Sequence, residues 1–261
     1  MAGNFPPATR SHTAMTTPPT LLRFATALGL ASACIWGSVA YAQAPAQHSV
    51  RETVTTPHVR AELVAHAPNG VSPVATVWAG LQLAHQPEWH TYWKNAGDSG
   101  LPTTLTWTLP PGIEAGDIAW PLPRKIPIGT LANYGYEGTV LLPVPLTITP
   151  DFKMPLLASN ASEVELKLKA SWLVCRKECI PEEGEFALRL PLHGSTAFNT
   201  AAFDTAQAAQ PQPLALADAT QVKVVGNTLQ LTVAGLPAAA HGKTLEFFPE
   251  TPDLVHTAAV S

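Results

Sequence analysis

The stretch EVELKLKASWLV, residues 163–174, alternates apolar and polar side chains almost without a break. A period of two puts one set of side chains against a core and the other in water, which is the signature of a half-buried β-strand. The same period returns in VSPVATVWAGLQLAH (71–85) from Thr76 onward, in TTLTWTL (103–109) and in EFALRLPL (185–192). Turn signals separate the runs at Asn69-Gly70, Pro111-Gly112 and Gly226-Asn227. The 26 prolines work against long helices, and no helical pattern of twelve residues stands out before position 195. Many short strands joined by Gly/Pro turns predict an all-β sandwich over residues 48–194.

Residues 196–218, TAFNTAAFDTAQAAQPQPLALAD, lose the alternation and are rich in Ala, Gln and Pro. They read as a short helix followed by a linker, with the linker segment drawn as 195–218. Beyond it, QVKVVGNTLQLTVAGL reads as a hairpin and KTLEFFPE as one more strand. Two or three strands do not make a stable sandwich, so residues 219–261 read as the start of a second β domain that the sequence does not complete.

The N-terminal 42 residues read differently again. FATALGLASACIWGSVAYA (24–42) is uncharged and mostly apolar, Arg23 precedes it, and Ala40-Tyr41-Ala42 fits a small-x-small cleavage site. That combination predicts a secretory signal peptide over 1–42 and export; Met15 serves as well as Met1 for its start. Removing it takes two arginines with it and leaves 13 basic side chains against 19 acidic ones. The mild negative balance argues against a nucleic-acid partner, which asks for a basic patch.

Export matters most for WLVCRKECIP (172–181), because oxidising compartments allow disulfides. Cys175 and Cys179 are open to three readings. As a staple they would close a ring of about five residues, for roughly 2 kcal/mol against about 3 for a fifteen-residue loop. As half of a zinc site they would need histidines, and the nearest in sequence, His193, is more than ten residues away. As a redox dithiol they would sit in an exposed loop between antiparallel strands. Arg176 and Lys177 there favour a thiolate, while Glu178, Glu182 and Glu183 oppose it.

GLQLAHQPEWHTYWKNAGDSGLPTTLTW (80–107), IAWPLPRKIPIGTLANYGYEGTVLLPVPLTI (118–148) and ASWLVCRKECIPEEGEFALRLPL (170–192) together resemble the N-terminal periplasmic domain of the DsbD family, in particular its ScsB-like branch. DsbD is a thiol:disulfide interchange protein. The resemblance implies an immunoglobulin-like sandwich with Cys175 and Cys179 as the redox pair. It implies electrons arriving from a membrane-embedded reductase through a thioredoxin-like domain. They would pass to periplasmic thioredoxin-fold proteins of the disulfide isomerase or cytochrome c maturation type. The sulfurs carry the electrons, so no cofactor or metal is expected. In better-known members the C-terminal cysteine attacks, which here is Cys179, although the gap between the two is longer there. The resemblance also implies a cap loop over the cysteines. Chain order puts it at residues 126–136, with Tyr134 and Tyr136 as the aromatic cover. The family continues into membrane helices and a thioredoxin domain, so this sequence is either a piece of a longer protein or a free-standing module that borrows its reductant.

PEWHTYWKNAGDSGLP (87–102) gathers Trp89, His90, Tyr92 and Trp93. Alternation sends Trp89, Thr91 and Trp93 to one side and His90 and Tyr92 to the other. Core packing with one functional face is the expected use, and Asn95 and Asp98 read as turn formers. The rival function is a periplasmic binding or interaction sandwich whose disulfide is merely structural.

Overall fold

The computed structural model describes residues 51–73, 77–153, 162–197, 199–213 and 220–258. The expected signal peptide, 1–42, lies outside the described residues. Among the described residues, thirteen strands follow in chain order. The first seven are β1 (Thr53–Thr55), β2 (Val59–His66), β3 (Val77–His85), β4 (His90–Gly97), β5 (Thr104–Thr108), β6 (Ile113–Ala115) and β7 (Arg124–Ile128). Then come β8 (Leu131–Glu137), β9 (Thr139–Ile148), β10 (Glu163–Cys175), β11 (Cys179–Pro191), β12 (Gln221–Val225) and β13 (Thr228–Thr232). One helix, α1 (Thr200–Ala208), falls between β11 and β12.

Two antiparallel sheets make the sandwich. One runs β1-β2-β3-β9-β6; the other runs β11-β10-β4-β8-β7, with β5 pairing to β10 beside β4. This is an all-β, immunoglobulin-like arrangement. The alternation read from the sequence is realised in β10, where Val164, Leu166, Leu168, Ala170, Trp172 and Val174 are all buried in the core. They meet Leu63, Leu81, Leu83 and Leu142 of the first sheet in one continuous cluster. The glycines of the expected turns, Gly70, Gly112 and Gly226, all adopt positive φ, the conformation that only glycine enters cheaply.

Proline inside β9 does not break its pairing. Pro143 and Pro145 stand opposite Gly80 and Trp78. Their carbonyls accept hydrogen bonds from the backbone of Ala119 and Gly116 in an irregular segment. The missing proline N–H therefore faces no regular ladder, which is where a strand tolerates it.

Helix α1 buries Phe203 and Ala206 against Val64 and Leu141, on the outer face of the first sheet. The β12–β13 hairpin forms as read, closed by Gly226-Asn227, and both strands are largely exposed. The strand expected at KTLEFFPE does not form. Residues 243–249 carry no ladder; instead Phe248 packs edge-on against Tyr134 and Trp93, and the Pro249 carbonyl accepts a hydrogen bond from Asn95 Nδ2 at 2.8 Å. Side-chain docking onto the sandwich replaces strand pairing there. No helix among the described residues is long and apolar enough to cross a membrane.

Candidate functional site

The β10–β11 hairpin ends where Cys175 stands opposite Cys179. The two are joined by a disulfide across the loop 176–178. Cys175 is 1% exposed, whereas Cys179 is exposed. The alternation of β10 sends Cys175 to the outer face, away from Trp172 and Val174. Its burial therefore comes from something lying over that face.

The cover begins with β4. Cys175 pairs with His90, and His90 pairs on its other side with Glu137 of β8. Directly opposed residues in antiparallel strands share a face, with Cβ atoms roughly 5 Å apart. Cys179, Cys175, His90 and Glu137 thus form one row across four strands, on one face. Tyr92, two residues along β4, projects from the same face, and its hydroxyl lies 3.6 Å from Cys179 Sγ. The His90 and Tyr92 rings meet edge to face at 5.3 Å. Both residues are buried, although they face away from the sandwich core.

The segment 97–102 closes over them. A β-carbon on Gly100 would fall 2.2 Å from the Tyr92 ring, so backbone and ring are already in contact. Asp98 anchors this segment, accepting hydrogen bonds from the backbone of Ala132 at 2.9 Å and Thr257 at 3.1 Å. Burial alone would raise its carboxyl pKa, but these bonds outweigh burial and hold it below the usual range. Ser99 donates from N and Oγ to Asn133 Oδ1, both at 3.1 Å. Asp98 lies in the bend after β4, as read, whereas Asn95 lies within β4, where its Oδ1 accepts from Gly97 N at 3.0 Å. Asp98 ties the bend to β8 and to the C-terminal segment, and Asn95 ties β4 to that segment.

Tyr134 and Tyr136 sit elsewhere. Glu137 faces the cysteine side, so Tyr136 and Tyr134, one and three residues before it, face the core. Tyr134 packs against Phe248 and Trp93, and the Tyr136 hydroxyl donates to the Pro121 carbonyl at 2.7 Å. Burial raises both phenol pKa values. Residues 126–136 belong to the β7–β8 hairpin rather than to a loop over the sulfurs, and the described tyrosine that reaches a cysteine is Tyr92. Its phenol pKa is pushed up to about 12 by burial.

Two charged groups flank the row. The Arg176 guanidinium lies 5.6 Å from the Trp89 ring and 3.0 Å from Glu88. Glu182 turns to the core side, away from the sulfurs. There it accepts from Trp172 Nε1 at 3.2 Å and Thr56 Oγ1 at 2.5 Å, and pairs with His58 Nδ1 at 2.7 Å. His58 in turn stacks on Trp89 at 3.9 Å. Glu182→Ala would leave Trp172 Nε1 and His58 Nδ1 without this acceptor, while the Thr56 hydroxyl keeps the Val59 carbonyl at 2.8 Å. We expect it to cost about 3 kcal/mol in urea unfolding; a loss below about 1 kcal/mol would show that the cluster is not a structural tie.

On the cysteine face, beside the hairpin, lies a cleft of about 700 Å³ lined in part by Leu101, Pro102, Leu173 and Pro181. Pro102 bridges to Tyr92, so the cleft adjoins the Tyr92 contact with Cys179.

A sandwich with a half-exposed disulfide at a hairpin tip, beside a buried phenol, has an arrangement that suits thiol–disulfide exchange. The family model for the N-terminal part of the thiol:disulfide interchange protein DsbD matches residues 60–191, and the chain belongs to that family. Among solved structures, the N-terminal periplasmic domain of ScsB from Proteus mirabilis matches with a TM-score of 0.50 at 21% identity, over 69% of this chain and 67% of that one. This likeness supports the fold. The GAE domain of GGA2p from Saccharomyces cerevisiae matches with a TM-score of 0.27 at 10% identity, over 53% of this chain and 96% of that one, and carries no argument. No curated protein matches the sequence.

Proposed function

We propose that this chain is a periplasmic electron-transfer module working through Cys175 and Cys179. In this reading a membrane reductase of the DsbD type reduces the pair by way of a thioredoxin-like domain. The pair then reduces periplasmic thioredoxin-fold proteins of the disulfide isomerase or cytochrome c maturation type. Membership of the DsbD N-terminal family supports the location and the class of partner.

The observation that carries the mechanism is the asymmetry of the pair. Cys179 is exposed and Cys175 is 1% exposed. The Cys179 thiolate attacks the partner's disulfide and expels one partner sulfur as thiolate. Cys175 then attacks Cys179 Sγ, expelling the second partner sulfur and closing the 175–179 disulfide. Two electrons leave the pair and the partner's disulfide becomes a dithiol. The apolar cleft beside Tyr92 offers the partner a docking surface next to the reacting sulfur.

The test is a redox titration of the protein against glutathione and dithiothreitol buffers. A shuttle should titrate well above about −300 mV, within reach of cellular thiols. A midpoint below that value would favour the rival, a binding sandwich with a structural disulfide.

A further inference from the structure

We propose that His90 is the proton acceptor for Cys175 in the resolving step, with Glu137 supporting the charge it gains; this rests on the exchange reading above. Cys175 is 1% exposed, so its thiol has little access to water as a base. Yet it must lose a proton before it can attack Cys179, because the thiolate is the nucleophile. The cross-strand row supplies the groups. His90 is the direct partner of Cys175 on β10, and Glu137 is the direct partner of His90 on β8.

His90 is 2% exposed and its Nε2 is buried without a hydrogen-bond partner. A buried, unpaired imidazole nitrogen costs free energy unless it is used. The other titratable groups around it are already committed. His85 donates Nδ1–H to the Gly138 carbonyl at 2.7 Å and takes the Thr91 hydroxyl on Nε2 at 2.9 Å. Burial lowers its pKa to about 4. Tyr92 is spent on Cys179, with its pKa pushed up to about 12 by burial. Burial also lowers the pKa of His90, while the Glu137 carboxylate raises it. Burial thus biases the imidazole on the strand position paired with Cys175 toward its neutral form, while the Glu137 carboxylate favours its protonation.

The step balances as follows. In the mixed disulfide, the Cys175 S–H proton passes to His90. The Cys175 sulfur forms its bond to Cys179 Sγ. The Cys179–partner S–S bond breaks, and its electron pair leaves on the partner's sulfur. His90 then returns its proton to the departing thiolate or to solvent. General bases of this kind are worth roughly a hundredfold or more.

Oxidised glutathione is a suitable probe, since the adduct on Cys179 and its release can be followed separately by acid quench and mass spectrometry. His90→Gln should keep the burst of adduct formation and slow glutathione release roughly a hundredfold near neutral pH. The deficit should close as pH rises past the thiol's own ionisation, about 8.5 in free cysteine. Glu137 is exposed, so Glu137→Gln tests the same row in a variant expected to fold. Without the carboxylate, imidazolium is less favoured, and the acid limb of the release profile should move to lower pH. Release at the wild-type rate and with the wild-type pH profile in both variants would overturn the inference alone. A wild type that never forms the glutathione adduct would sink the exchange reading, and this inference with it.

Discussion

Cys179→Ser should abolish disulfide transfer, and Cys175→Ser should trap it halfway. The two sulfurs share one bond but occupy different surroundings. Cys179 is exposed at the hairpin tip, where a partner disulfide can align with it; Cys175 is buried beneath the β4 side chains. Losing the exposed thiol removes the first nucleophile, so no adduct forms. Losing the buried one leaves capture intact and removes resolution. Cys175→Ser should therefore accumulate a mixed disulfide with a thioredoxin-fold protein, visible on non-reducing gels and released by dithiothreitol. Neither variant should unfold. The ring closed by the disulfide spans only residues 175–179, and the entropy of so short a loop is worth about 2 kcal/mol. Recovering the adduct only with Cys179→Ser would reverse the two roles. Full transfer by Cys179→Ser would remove the pair from the mechanism.

Much of this was legible in one dimension. The alternation of 163–174 forecast β10; carrying its phase one residue further would have set Cys175 on the face opposite Trp172 and Val174, a step the sequence reading did not take, and the structure has them so. The same reasoning separated His90 and Tyr92 from Trp89 and Trp93, as the structure has them. What alternation cannot supply is register. Nothing in PEWHTYWKNAGDSGLP says that His90 will stand opposite Cys175, some 85 residues away in sequence, because pairing between distant strands depends on every turn and bulge between them. The tyrosines show the same limit. Tyr134 and Tyr136 were proposed as cover from chain order, but their strand puts Glu137 on the cysteine face and hence both tyrosines against the core. A period-two argument on NYGYE could have separated Glu137 from them, though not chosen the face. The C-terminal segment misled for a different reason. KTLEFFPE has β-prone residues, yet Phe248 and Pro249 are held by the aromatic cluster and by Asn95 rather than by a neighbouring strand.

Gly100→Ala should uncover the site at a cost in stability. Gly100 has φ of +105°, where a side chain is strained by about 1–3 kcal/mol. Its added carbon would fall 2.2 Å from the Tyr92 ring. Tyr92 is fully buried and its hydroxyl is seated on Cys179, so the ring has no free space to retreat into. Segment 97–102 is itself held by Asp98 and by the bonds from Ser99 to Asn133. One of the two must yield. Strain and overpacking together should lower the unfolding free energy by about 2–4 kcal/mol. Cys179 is already exposed on one side, and its Sγ rests against the Tyr92 hydroxyl on the other; either movement frees that second side, so iodoacetamide should alkylate the reduced pair severalfold faster. Gly129→Ala is the matched control. Gly129 also has positive φ, +60°, but its added carbon would meet nothing within 4 Å. That variant should lose about 1 kcal/mol, near the low end of such strain, and alkylate at the wild-type rate. If Gly100→Ala folds with unchanged stability and an unchanged alkylation rate, segment 97–102 and Tyr92 are not what shields Cys179. If Gly129→Ala accelerates alkylation equally, general loosening of the sandwich, rather than removal of a specific cover, sets the access of reagents to the sulfurs.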